Sequence, residues 1–183
     1  MPSIHTLSLR PRLERRSSEI PIATAVLGDT AIAAIASAWG GWCDPDAELP
    51  AVTASLAVLA TAARTTTPDW PAALAAAFAA VPAAIDPLMI GWPPDDDLYP
   101  VTCLTCAVVT PAGIFLAAVG SLIACVLTDG RVTRSSEPHT LHRKLRDEGT
   151  IPADQLAQIP AAFREVIVGA LGPSTHNSNP PEL

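Results

Sequence analysis

Short apolar runs alternate along this chain with clusters of Gly, Pro, Asp and Ser, and that punctuation predicts its elements. Ile20–Leu27 and Ala31–Ser37 are strand-sized apolar runs joined by a turn at Gly28-Asp29, and Trp39-Gly40-Gly41-Trp42 ends the second. Leu49–Arg64 reads as a helix, with Pro50 in the first turn, where the missing N–H costs nothing. Asp69 is placed to cap a second helix, which carries Pro71 early, runs to Val81 or Ile85, and kinks or ends at Pro82. A proline-rich loop over Asp86–Pro100 leads to the longest apolar stretch, which has no charged residue from Leu98 to Thr128. That length suits a membrane-spanning helix at about Cys103–Leu127. The turns favour strands instead. Thr110-Pro111-Ala112-Gly113, Gly120-Ser121 and Asp129-Gly130 divide the stretch into Thr102–Val109, Ile114–Val119, Leu122–Thr128 and Arg131–Ser135. Val, Ile, Thr and Phe are frequent there, as pleated strands prefer. A helix over Thr140–Glu148 stopped by Gly149 follows, then a shorter helix from Pro152 and Asp154, then Phe163–Ala170, whose pattern suits helix or strand. Strands, helix, helix, strand meander, helix is the order of an α+β fold with helices packed on antiparallel sheet.

At 183 residues the chain suits one domain with a sizeable core. Its 49% hydrophobic content is largely Ala, and its net charge of -7 argues against a nucleic-acid backbone as partner, because that contact needs a basic face. Cys103-x-x-Cys106 sits in a predicted strand, where odd spacing points the side chains to opposite faces. No second C-x-x-C or H-x-H pair completes a zinc site, so buried free thiols in a reducing cytoplasm are expected. Met1–Glu19 is polar and Arg-rich, unlike a secretory signal.

The segment from Thr110 to Gln155 resembles the middle of the metal-dependent PPM-type (protein phosphatase 2C-like) serine/threonine phosphatases. Val119-Gly120-Ser121 stands at the family's V-G-D-S-R, followed by Asp129-Gly130, then Pro138-His139-Thr140-Leu141 at its D-H-S-L. Glu148-Gly149, Ile151-Pro152-Ala153-Asp154 and Val168-Gly169-Ala170-Leu171-Gly172 continue the series in order. The resemblance covers roughly residues 10 to 172 and implies two antiparallel sheets in a sandwich flanked by helices, incomplete at the C-terminus. With the composition of the two ends, the division expected is a loose segment 1–19, a domain 20–172 and a disordered Pro/Ser/Asn tail 173–183. Such a sandwich would leave sheet edges or an apolar face uncovered.

The resemblance also shows where acids should stand. Arg15 and Glu19 fall where the family has a phosphate-gripping Arg and a Glu, but Ile20 replaces the Asp beside it. Over Ala34-Ile35-Ala36-Ser37-Ala38-Trp39-Gly40-Gly41 the Gly40-Gly41 pair is kept. Ser37 replaces the metal-bridging Asp and Ala38 the Gly whose carbonyl binds metal. Ser121 replaces the Asp of the third segment, and His139 keeps a histidine that acts as a hydrogen-bonding residue. A neutral hydroxyl cannot bridge two dications as a carboxylate does. Asp95-Asp96-Asp97 reads as a solvated loop, and Asp44, Asp46 and Glu48 as exposed acids approaching a helix N-terminus. His139 and His142 lack a third ligand. There is no G-x-S-x-G elbow, phosphate loop or dinucleotide fingerprint.

The favoured reading is a phosphatase-like protein without metal-dependent catalysis, cytoplasmic, with no cofactor and no membrane. It would bind a kinase, a phosphoprotein or a phosphatase, or form a homodimer. Trp39, Trp42, Trp70 and Trp92 are candidates for contact area, with core packing expected for at least half. One alternative is an active Mn²⁺- or Mg²⁺-dependent phosphatase whose metal site is non-standard or completed by a partner. Another is the membrane span above.

Overall fold

A computed structural model describes residues 20–39, 47–90 and 99–174. Four antiparallel strands, β1 (Ile22–Leu27), β2 (Thr30–Trp39), β3 (Val101–Thr110) and β4 (Gly113–Val119), form a sheet in the order β1-β2-β3-β4. The uncharged stretch is therefore built from paired strands, and the span proposed at Cys103–Leu127 is overturned. Its turn at Pro111-Ala112 lets Thr105 pair with Ala118 and Val109 with Ile114. Each strand alternates. Ile32, Ala34 and Ala36 of β2 face the helices with Leu104, Cys106 and Val108 of β3 and Ala117 and Val119 of β4. The side chains between them point to the opposite face.

Three helices cover the first face: α1 (Glu48–Ala62), α2 (Trp70–Ala79) and α3 (Val81–Ile85). Helix α1 buries Ala51, Val52, Ser55 and Leu59, and α2 buries Trp70, Ala73, Leu74, Ala77 and Phe78, both at three- and four-residue spacing. Burying each of Leu59, Leu74, Phe78 and Ile85 contributes roughly 1.5–3 kcal/mol. Asp69 caps α2 by accepting from the Ala72 N–H at 3.1 Å. Pro82 lies early in α3, where the helix restarts after the break at Ala80. One helical stretch among the described residues, Trp70–Met89, is long and apolar enough to cross a membrane by length and composition. Its Trp70, Leu74, Phe78, Val81 and Ile85 are packed in this core.

Beyond β4 lies a separate two-stranded sheet, β5 (Cys125–Thr128) with β6 (Arg131–Ser135), turned by Asp129-Gly130. The strand expected from Leu122 begins only at Cys125. Gly120 adopts φ 96° and swings the chain out of the first sheet, and Ala124 is held by Ser136 instead. Every residue of β5 and β6 except Val126 is exposed. Helix α4 (Leu141–Glu148) starts at Thr140 and stops at Gly149, and α5 (Ala153–Leu156) follows Pro152. Phe163–Ala170 is neither one helix nor one strand. Helix α6 (Ala161–Arg164) ends and an extended strap continues, bridging Thr140 through Ile167 and Thr102 through Leu171. Pro173 and Ser174, expected in a disordered tail, are held: Pro173 is buried and Ser174 donates twice to Asp86, and residues 175–183 lie outside the described residues.

Candidate functional site

Two positions singled out by the motif order, Ser37 and Ser121, lie beside one side chain, Cys103. Strand register sets Ser37 of β2 beside Cys103 of β3. Cys103 occupies the face turned away from the helices and is fully buried. Where β4 ends, Gly120 passes over it so closely that a Cβ there would lie 2.2 Å from the sulfur. Ser121 follows, exposed, and its N–H and hydroxyl donate to Cys103 Sγ at 3.3 and 3.4 Å. Ser37 also offers its carbonyl to the Thr102 hydroxyl at 3.3 Å.

His139 closes the far side. Its N–H donates to the Gly120 carbonyl at 2.8 Å, and its Nδ1 accepts from the Gly120 N–H at 3.4 Å. Gly169 of the strap packs on the imidazole, where a Cβ would come within 2.9 Å of Nδ1. His139 thus fastens the turn after β4 to the strap. Cys106, three residues along, points into the helical core, where burial pushes its thiol up to about 12 against the pull of the Ser55 hydroxyl.

Of the residues chosen from sequence, Ser37, Ser121 and His139 are brought together. Ile20 is half-buried just before β1. Ala38 lies opposite Thr102 in the register. Arg15, Glu19, Gly40 and Gly41 lie outside the described residues, as do Asp44, Asp46 and Asp95–Asp97. One expectation is corrected. Glu48 is buried at the start of α1, where free N–H groups and the helix dipole favour a carboxylate. Trp70 is a core residue, its ring 6.4 Å from that of Phe115. Trp42 and Trp92 lie outside the described residues. The part Cys103 plays was missed. Its burial was readable from the strand pattern, but its contact with Ser121 depends on a turn eighteen residues away.

Hard dications take several carboxylate oxygens. Ser37, Ser121 and Cys103 offer two hydroxyls and a thiol, and a thiolate suits softer metals. Among the described residues no group of three or more His, Cys, Asp or Glu could hold a metal ion. These residues do not fit a two-metal centre for Mn²⁺ or Mg²⁺.

No protein-family model matches the chain, and a comparison with curated proteins finds no match. Solved structures do match. The Stage II sporulation E family protein of Thermanaerovibrio acidaminovorans superposes with TM-score 0.62 at 21% identity, over 88% of this chain and 72% of its own. The serine/threonine phosphatase PstP/Ppp of Mycobacterium tuberculosis gives TM-score 0.60 at 26% identity, over 88% of this chain. This chain has the PPM phosphatase fold. The catalytic domain of PstP in complex with two manganese ions is similar at TM-score 0.56 and 26% identity. The chain spans 64% and 65% of the lengths of those two PstP structures. The expected α+β class, with antiparallel sheets and helices, holds.

Proposed function

We propose that this PPM-fold protein acts by binding a protein partner and does not hydrolyse phosphoesters through metal ions. The observation that carries this reading is the Ser37–Cys103–Ser121 cluster, in which two hydroxyls stand at positions that the motif order assigns to metal-binding carboxylates, with a thiol beside them. Without negative oxygens, a pair of dications has nothing to offset its charge there, and no water beside it is activated. The partner is a kinase, a phosphoprotein or a phosphatase. The protein works in a reducing compartment, the cytoplasm, in keeping with three described cysteines that are all free. Assays with Mn²⁺ on a phosphopeptide and on an aryl phosphate test the proposal. Background rates are expected, and robust metal-dependent turnover would refute it.

A second reading keeps the enzyme, with a metal site completed by another chain. It is favoured by the likeness to a domain that holds two manganese ions. Calorimetry separates the two, since micromolar Mn²⁺ binding supports the second and no heat supports the first.

A further inference from the structure

The β5–β6 hairpin has chemistry that the site above leaves unused. It is a two-stranded sheet with no further strand among the described residues. Such a hairpin is marginal alone, and its open backbone N–H and C=O groups can template another strand. Its register shifts between Val126 and Leu127, so Val126 pairs with Arg134, Leu127 with Val132 and Thr128 with Arg131, leaving Thr133 as the extra residue. The bulge decides which way the arginines point. Arg131 and Arg134 are three apart and would otherwise lie on opposite faces. With Thr133 looped out, both stand over the Val126 and Thr128 face, while Leu127 and Val132 share the other. Thr133 anchors the bulge by donating to the Val126 carbonyl at 3.2 Å.

Both arginines are exposed, and among the described residues neither has an ion pair. The cations of α4 are different: Arg143, Lys144 and Arg146 each pair with a carboxylate. In a chain of net charge -7, two unpaired arginines side by side on an open strand are a local inversion of sign. They repel a second copy of the same strand and attract an anionic one.

We propose that the β6 edge binds an extended acidic peptide as an added strand, with carboxylates at alternate positions paired to Arg131 and Arg134. Residues two apart on a strand share a face, so the recognised pattern is acid-x-acid. Arginine pairs carboxylates in bidentate fashion, and the backbone ladder supplies affinity without further sequence demand. This goes beyond the proposed function and does not depend on whether the chain hydrolyses phosphate.

The test is fluorescence anisotropy of the full chain with a labelled Val/Thr peptide carrying Glu at alternate positions, alongside the same peptide with Lys. The Glu peptide should bind, weaken steeply with salt, and lose roughly tenfold or more in affinity with the double variant Arg131→Glu/Arg134→Glu. That variant should gain the Lys peptide. Both positions are exposed, so circular dichroism should show the variant folded. Equal binding of the two peptides, or Glu-peptide binding that survives the charge reversal, overturns the proposal. So does self-association through the hairpin that the reversal leaves unchanged.

Discussion

Gly120 couples backbone conformation to the site. At φ 96° it occupies a region closed to most side chains, and an added Cβ would meet the Cys103 sulfur. Gly120→Ala should destabilise by about 3 kcal/mol or more in urea denaturation, because strain and overpacking add. Gly149→Ala is the control. Its φ is 61° with nothing near the added methyl, so about 1 kcal/mol is expected. Cys106 makes a second prediction. Folding holds its thiol protonated up to about 12, against an ordinary 9.0, so the unfolded chain releases its proton first. Its contribution is complete below the ordinary value and falls as pH rises toward the folded one, by up to about 1.4 kcal/mol per pH unit. Alkaline denaturation of Cys106→Ala should lack that slope. Ser37 and Ser121 were legible in the sequence as motif positions. Their convergence on Cys103 was not, because it needs both strand register and a turn.

Helix ends were legible because caps are local chemistry. Asp69 caps α2, and Thr140 caps α4 by accepting from the Arg143 N–H at 3.2 Å. The two caps should behave differently. Asp69→Ala should lower global stability by about 1 kcal/mol, because α2 carries Leu74 and Phe78 into the core. Thr140→Ala should cost a similar amount locally, but α4 buries no residue, so hydrogen exchange should quicken over 141–148 with little change in the global midpoint. The alanine-rich composition of α1 and α2 hid their inner faces: with apolar residues all round, only contact with the sheet selects Ala51, Ser55 and Leu59. The segment before Cys125 misled for a related reason. Apolar residues at Leu122, Ile123 and Ala124 suit a strand, yet among the described residues no strand pairs Leu122 or Ile123, and Ala124 meets only Ser136.

Across the whole molecule, the strap after α6 joins parts distant in sequence. Leu141 N–H donates to the Val166 carbonyl at 2.7 Å, Val168 N–H to that of His139 at 2.9 Å, and Leu171 exchanges two 2.8 Å bonds with Thr102. Ser174 then donates its N–H and hydroxyl to Asp86, each at 2.7 Å, ending the strap on the helical layer. These bonds hold the Asp86 carboxyl below its usual range. The clamp is present above the ordinary carboxylate value and is lost as pH falls through the lowered one. Asp86→Asn should make the strap more accessible to protease at neutral pH and remove the acid dependence of that cleavage, read by mass spectrometry.

Helix caps and tight turns could be read along the chain, since each depends on a residue and its near neighbours. Four features depended on contacts between distant segments: Ser37 and Ser121 both lying beside Cys103, His139 tying a turn to the strap, Glu48 being buried, and two arginines sharing a hairpin face. Hydrophobic alternation specifies that a strand has an inside, but register, bulges and chain crossings determine which side chains meet there.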